Sequence, residues 1–380
     1  MAATNPFRFG ALALDESFTD RAEEIEELRS DEMNGQDVVI VAPRRYGKSS
    51  LVWRVSQELI ADGVLVAQVD LLTTPTKEKL AEKLAKTIHE DVASVLFRAR
   101  ERLRVFQGLR ITPVVTVDPS DGSLSFSFEA GRRPDDVDAT LERLFELPGQ
   151  LGAERERKVV LVLDEFQEIV SIDPNLPRLM RSVFQRQPEV AHVYLGSKRH
   201  MMERIFNDEN EPFWRSAKRM ELGVIAPPLF REYIAERFEA TGRRIEWDVV
   251  DRLLDDTRGH PYATQELCYF LWEQTPEQDQ ADAARFEAAL RGVLRSEHAH
   301  FSLIWDKAAT AQRLALQALA VEPGRPLAAD YRHRHKLPAA SSVQRALEAL
   351  VRDELVSRDE TGEYRIAEPF LGAWIRRNEL

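Results

Sequence analysis

The residues best suited to chemistry lie in two short runs. The first is Val38-Val-Ile-Val-Ala-Pro-Arg-Arg-Tyr-Gly-Lys-Ser-Ser50, an apolar stretch that enters a loop ending in Gly47-Lys48-Ser49 and then opens an amphipathic segment. In such a loop the backbone N–H groups converge on phosphate oxygens, and the start of the following helix adds partial positive charge. Ala42, Pro43, Arg44, Arg45, Tyr46, Gly47, Lys48, Ser49 and Ser50 are therefore the candidate nucleotide-binding set. Lys48 is placed to reach β- and γ-phosphates, and the Ser49 hydroxyl to ligate Mg²⁺. Ala42 stands where this pattern usually has glycine, which keeps the loop small but gives up access to positive φ. A basic turn before an ordinary helix is the competing reading, and the flanking strand and helix patterns argue against it.

The second run is Lys158-Val-Val-Leu-Val-Leu-Asp164-Glu165, a wholly apolar strand ending in two acids. In a parallel sheet ligands gather beyond the carboxyl ends of the strands, so this end adjoins the phosphate loop. Asp164 would hold the metal shell and Glu165 would polarise an attacking water. Adjacent acids can take separate roles because successive side chains leave a strand in different directions. A third strand end, Ala191-His-Val-Tyr-Leu195 followed by Gly196-Ser197-Lys198, offers Ser197. Ser197 is either a hydrogen-bond partner for the γ-phosphate or the attacking water, or a cap for a helix over Arg199–Ile205. Taken together, the runs point to nucleotide hydrolysis.

These residues must be held by an α/β frame. Asp37–Ala42, Val64–Leu71, Val159–Leu163 and Val190–Leu195 are short apolar strands. Lys48–Ala61 and Thr76 to about Leu103 repeat apolar residues at helical spacing, and the alternation implies a parallel sheet covered on both faces. Ile111–Val117 and Ser123–Phe128, around Pro119-Ser-Asp-Gly122, read as a hairpin whose Leu124, Phe126 and Phe128 share a face. That face covers a sheet edge or packs under a helix over Asp135–Leu147, with partner binding as the less common use. From Pro227 the pattern is helical: Pro228–Ala240, Trp247–Thr257, Tyr262–Glu273 and Ala281–Leu294. A final unit reads as a helix (Ala311–Ala320), a helix capped at Ser341-Ser342, and strands Leu355–Arg358 and Tyr364–Ile366, the order of a winged helix. The expected domains are a core over 1–225 with the hairpin inserted near 110–129, a helical domain over 226–305 and a winged helix over 306–380.

Composition sets the outer limits. The 380 residues carry 52 Lys and Arg against 64 Asp and Glu, a formal charge of −12 that argues against binding nucleic acid by bulk charge. The one cysteine, Cys268, excludes an intrachain disulfide and a four-cysteine zinc site. His298 and His300 have no companion ligands at useful spacing for zinc. No apolar run approaches the length of a membrane span, and a soluble, cytoplasmic protein is the expectation. Trp272, Trp305 and Trp374 fall at helical core positions.

The two runs, with several shorter ones, resemble the archaeal-type P-loop ATPases, relatives of the STAND NTPases and of the AAA+ origin-recognition ATPases. The shorter ones are Asn5-Pro-Phe7, Phe18-Thr-Asp-Arg21, Leu163-Asp-Glu-Phe-Gln167, His200-Met-Met202, Pro212-Phe-Trp-Arg215, Gly259-His-Pro-Tyr262 and Tyr364-Arg-Ile-Ala-Glu-Pro-Phe-Leu371 with Trp374. The resemblance implies an additional-strand (ASCE/AAA+-like) P-loop core, a helical lid and a C-terminal winged helix. It also implies adenine contacts near Phe18 and Arg21 and, from the lid, near His260 and Pro261. It assigns Arg215 to the γ-phosphate, in cis or from a neighbouring subunit, with Arg219 as a rival and a solvated ion pair as the bland alternative. Many relatives continue into a nuclease-like domain, and no nucleolytic activity is expected of this sequence.

The expectation is a Mg²⁺-dependent ATPase acting as a nucleotide-controlled switch or assembly factor, with ATP or ADP as ligand and self-association or a partner protein as its context. The alternative is an ATP-dependent DNA-binding initiator or regulator using residues 331–352. Charge does not favour it: Ala311–Leu380 holds 11 Lys and Arg against 10 Asp and Glu. A nucleotide-binding scaffold without hydrolysis is a third reading, against which Glu165 speaks.

Overall fold

The computed structural model describes residues 4–12, 18–96, 105–107, 109–111, 114–117, 124–127 and 133–379. The chain divides into two compact units, Arg21–Gly223 and a second made of the first twenty residues with Val224–Leu380.

In the Arg21–Gly223 unit, α1 (Ala22–Met33) precedes β1 (Val38–Val41), α2 (Lys48–Ala61), β2 (Leu65–Asp70), α3 (Lys77–Thr87), a π-helical turn (Ile88–Ala93) and α4 (Ser94–Leu96). The hairpin β3 (Val114–Val117) and β4 (Leu124–Ser127) follows, then α5 (Pro134–Glu154), β5 (Val159–Asp164), α6 (Ile169–Ile172), α7 (Leu176–Phe184), β6 (Val190–Gly196), α8 (Arg199–Asn207) and β7 (Lys218–Glu221). Five strands form one parallel sheet in the order β2-β5-β6-β1-β7. Every residue of β1 and β6 is buried, as are the first five of β5, which is why these strands read as unbroken apolar runs. β6 separates β1 from β5, with Val41 beside Gly196 and Leu163 beside Tyr194. The ends of three neighbouring strands thus carry the phosphate loop, Ser197 and the acid pair.

β7 does not show in the sequence pattern. Its Lys-Arg-Met-Glu composition buries only Met220, as suits an edge strand. The hairpin forms with the expected antiparallel pairing over a shorter length; its turn at Pro119–Gly122 and Phe128 lie outside the described residues. Ile111 is not in the strand: it is buried, and its N–H donates to Thr140 Oγ1. Phe126 is buried with ring centroids 5.5 Å from both Phe106 and His89, so this face packs inward on the end of α3 and the π turn. The long helix or pair of helices expected over Thr76 to about Leu103 is α3 and α4 joined by the π turn, with residues 97–103 outside the described set.

The other unit contains α9 (Pro227–Ala240), β8 (Arg244–Ile245), α10 (Trp247–Thr257), α11 (Pro261–Glu273), β9 (Gln280–Ala281), α12 (Ala283–Ser296) and α13 (His298–Lys307). It continues through α14 (Thr310–Val321), α15 (Ala329–Arg334), α16 (Ala340–Arg352), β10 (Val356–Arg358), β11 (Tyr364–Ile366) and α17 (Pro369–Asn378). One apolar core runs from Phe7 and Phe230 to Trp374 and Ile375. Trp272, Trp305 and Trp374 are buried as expected, and His298 accepts the Trp374 indole N–H at 3.0 Å, a packing role. The Ser341-Ser342 cap is corrected: the helix begins at Ala340, both serines lie in its first turn, and Ala339 is the cap residue without a side-chain bond. No described helix is long and apolar enough to cross a membrane.

Candidate functional site

β1 enters its loop at Ala42, and α2 starts directly after Gly47. Positive φ falls on Arg45 (68°) and Gly47 (86°) and not on Ala42, so alanine is tolerated at the first loop position. No side chain caps α2, and its first turn has no acid, which leaves its leading N–H groups suited to an anion. A Cβ placed on Gly47 would meet nothing within 4 Å, so the loop encloses open space at this point. Lys48 is buried, and its Nζ donates to the carbonyls of Ala42 (2.7 Å) and Pro43 (3.0 Å), folding the ammonium over the loop. Arg44 and Arg45 are exposed, Tyr46 is half-buried and Ser50 is buried.

Two oxygen ligands meet beside the loop. Ser49 Oγ lies 3.3 Å from Asp164 Oδ2, and Asp164 Oδ1 accepts the Glu165 N–H at 2.8 Å. That second bond fixes the corner at which Glu165 takes up φ 51°, a left-handed conformation uncommon for a side-chain-bearing residue. Burial lifts the Asp164 carboxyl above its ordinary value, while the Glu165 N–H pulls it down. A hydroxyl and a partly desolvated carboxylate are the hard oxygen donors that Mg²⁺ takes, so the residues fit the metal.

Glu165 is held by its neighbours on one oxygen. Ser197 Oγ donates to Oε2 at 2.7 Å, and Gln167 Nε2 donates to the same atom. The cap alternative for Ser197 is not realised: Lys198 is the residue ahead of α8, and no side chain caps that helix. Sequence reasoning left Ser197 open and gave Gln167 no role. The available signal for Gln167 was a polar amide two residues past the acid pair, between Phe166 and Glu168.

The remaining candidates divide between the units. Arg21 is buried with φ 72°; its guanidinium bonds Glu24 Oε1 at 2.6 Å and the Gly223 carbonyl at 2.5 Å, an internal clamp. Phe18, half-buried, belongs to the other unit, as do His260 and Pro261. His260 is buried; its Nδ1 accepts the Ala263 N–H at 3.3 Å and Pro261 opens α11, so both shape that helix start. Arg215 is exposed at φ 50°, its guanidinium 5.3 Å from the Trp214 ring, and it makes no ion pair among the described residues. Arg219 is bound to Glu221 at 2.8 Å and Glu203 at 3.4 Å. Lys218 pairs with Val38, so the chain enters β7 beside the entry to β1. A four-residue strand, about 13 Å, separates that point from the loop.

Solved structures share this fold. A Walker-type ATPase of Pyrococcus abyssi superposes with a TM-score of 0.68 at 16% identity, over 96% of this chain and 97% of that one. The ORC2 protein of Aeropyrum pernix in its ADPNP–ADP complexes gives 0.58 at 14% identity, covering 98% of each chain. Its ADP form gives 0.50 at 15% identity, covering 96% and 97%. The fold is that of a P-loop ATPase with a winged helix. The family model described as a probable winged helix domain matches residues 299–377 of this P-loop ATPase fold. No curated protein sequence matches the chain.

Proposed function

We propose that the chain is a Mg²⁺-dependent ATPase that works as a nucleotide-controlled switch or assembly factor. The supporting observation is the convergence of Lys48, the Ser49–Asp164 pair and the Ser197–Glu165 pair at the carboxyl ends of three adjacent strands. ATP phosphates fit the uncapped start of α2 and the open space at Gly47. Lys48 exchanges two loop carbonyls for phosphate oxygens, and Ser49 and Asp164 hold Mg²⁺, whose charge offsets that of the phosphates. Glu165 orients water and receives its proton, with Ser197 fixing the carboxylate. Arg215 supplies positive charge from a second copy of the chain: its place at the entry to β7 suits a neighbouring protomer's site better than its own. Arg219, already paired with two glutamates, does not compete for that role.

The DNA-binding alternative draws less support. Arg334 and His335 both bond Glu322 Oε1 at 2.9 Å, and Gln344 bonds Glu348 at 2.9 Å. Arg345 bonds the Ser341 carbonyl, and Arg352 lies 3.5 Å from Asp353. Arg334, His335, Arg345 and Arg352 are thus engaged within the unit.

Calorimetric ATP titration of Gly47→Ala and Asp164→Asn tests the reading. The φ of 86° costs alanine about 1–2 kcal/mol, which the fold can absorb, while the added Cβ enters the space assigned to phosphate. Gly47→Ala is expected to lose ATP binding, and Asp164→Asn to lose only the Mg²⁺-dependent gain in affinity. Wild-type affinity in Gly47→Ala would place the nucleotide elsewhere.

A further inference from the structure

Gln167 is fully buried at the foot of the acid pair. Its Nε2 donates to Glu165 Oε2 and, at 3.4 Å, to Glu168 Oε1, which also accepts from Lys198 Nζ at 2.7 Å. Both neighbours of the amide are carboxylates, acceptors when ionised, so the nitrogen end must face them. The other end, Gln167 Oε1, has no hydrogen-bond partner among the described residues. A Cβ on Gly196 would fall 2.8 Å from that oxygen and 2.3 Å from Met202, so glycine at the end of β6 leaves the room that this rotamer occupies. An unpaired buried carbonyl is unfavourable, and hydrophobic residues of similar size would fill the site without it. The arrangement therefore serves the nitrogen end.

Together the bonds form a chain, Ser197–Glu165–Gln167–Glu168–Lys198, that ties the end of β5 to the end of β6. Both donors to Glu165 use Oε2, and Oε1 makes no hydrogen bond among the described residues. We propose that Gln167 is a positioning residue for hydrolysis: with Ser197 it anchors one oxygen of Glu165 and so leaves Oε1 as the atom that accepts the proton of the attacking water. This rests on the ATPase reading above. Gln167 touches neither nucleotide nor water in this role. It acts through Glu165, so its removal lowers turnover without changing how tightly ATP is held.

The test is a double-mutant cycle on single-turnover ATP hydrolysis, using wild type, Gln167→Met, Glu165→Gln and the double variant, with ATP affinity and melting temperature measured on each. Methionine keeps the volume and removes both donors. Gln167→Met is expected to lower the hydrolysis rate about 10- to 100-fold, the effect of one hydrogen bond to a charged group, with ATP affinity within about twofold of wild type. In the Glu165→Gln background it should change the residual rate by less than about twofold, because the group it positions is gone. A purely structural Gln167 would instead lower the melting temperature and multiply its loss with that of Glu165→Gln, which overturns the proposal. So does a Gln167→Met rate equal to wild type while Glu165→Gln is inactive, a result that leaves the ATPase reading standing. A wild type that neither binds nor hydrolyses ATP removes both. Should Gln167→Met fail to fold, Gln167→Leu, which also lacks both donors, is expected to show the same rate-only loss, and a wild-type rate there refutes the proposal.

Discussion

Glu32 offers a sharp quantitative test of the packing around the phosphate-loop unit. It lies in α1, the helix that packs on α2 and β1, and is only 3% exposed. Burial, with a smaller contribution from Asp31, pushes its carboxyl from 4.5 up to about 8. A raised carboxyl value means that the folded state keeps a proton the unfolded chain has released. Stability from this group is therefore complete below about pH 4.5 and falls by about 1.4 kcal/mol per pH unit until about pH 8. Over that window the loss sums to about 5 kcal/mol, an upper figure because side-chain movement and water entry reduce it. Glu32→Gln replaces the protonated acid with a neutral near-isostere and has no proton to lose. Urea unfolding of both proteins at pH 5, 7 and 9 is the assay. Near-equal stability is expected at pH 5, with the variant more stable at pH 7 and more so again at pH 9. A difference that does not vary with pH, or a variant that weakens most at pH 9, would refute the argument.

Two further predictions concern partners. If Arg215 acts in trans, turnover per protomer rises with protein concentration, Arg215→Ala lowers it by about 10³–10⁵-fold, and mixing Arg215→Ala with Glu165→Gln restores part of the activity. Turnover independent of concentration would contradict this. Duplex DNA should bind weakly at low salt with a shallow salt dependence, and Glu322→Ala, which releases Arg334 and His335, should steepen it. A steep slope in the wild type, removed by Arg332→Ala and Arg334→Ala, would favour the DNA-binding alternative instead.

The parts legible in the sequence are those where local pattern and tertiary role coincide. Val38–Val41 and Val159–Leu163 are buried on both faces, so their apolar runs announce central strands. Gly47-Lys48-Ser49 is a contiguous motif whose geometry follows from one loop and one helix. β7 was not legible because an edge strand needs only Met220 inside, and its three charged residues hide the pattern. The π turn at Ile88–Ala93 keeps an amphipathic appearance, so its widened backbone leaves no mark in composition. Ser197 could have been a cap or a site residue on local grounds, and its hydroxyl turns from the start of α8 to a bond across 32 positions with Glu165, which local pattern does not reveal. Gln167 depends likewise on where β6 and Gly196 lie in space.

The central claim is that Glu165 activates water for the hydrolysis of ATP held by the loop at Lys48. Its most direct test is single-turnover hydrolysis of Mg²⁺-ATP by wild type and Glu165→Gln, with ATP affinity measured on both. The account predicts equal affinity and a hydrolysis rate at least about 100-fold lower in Glu165→Gln than in the wild type. Hydrolysis at a near-wild-type rate in Glu165→Gln, or a wild type that does not bind ATP, would contradict it.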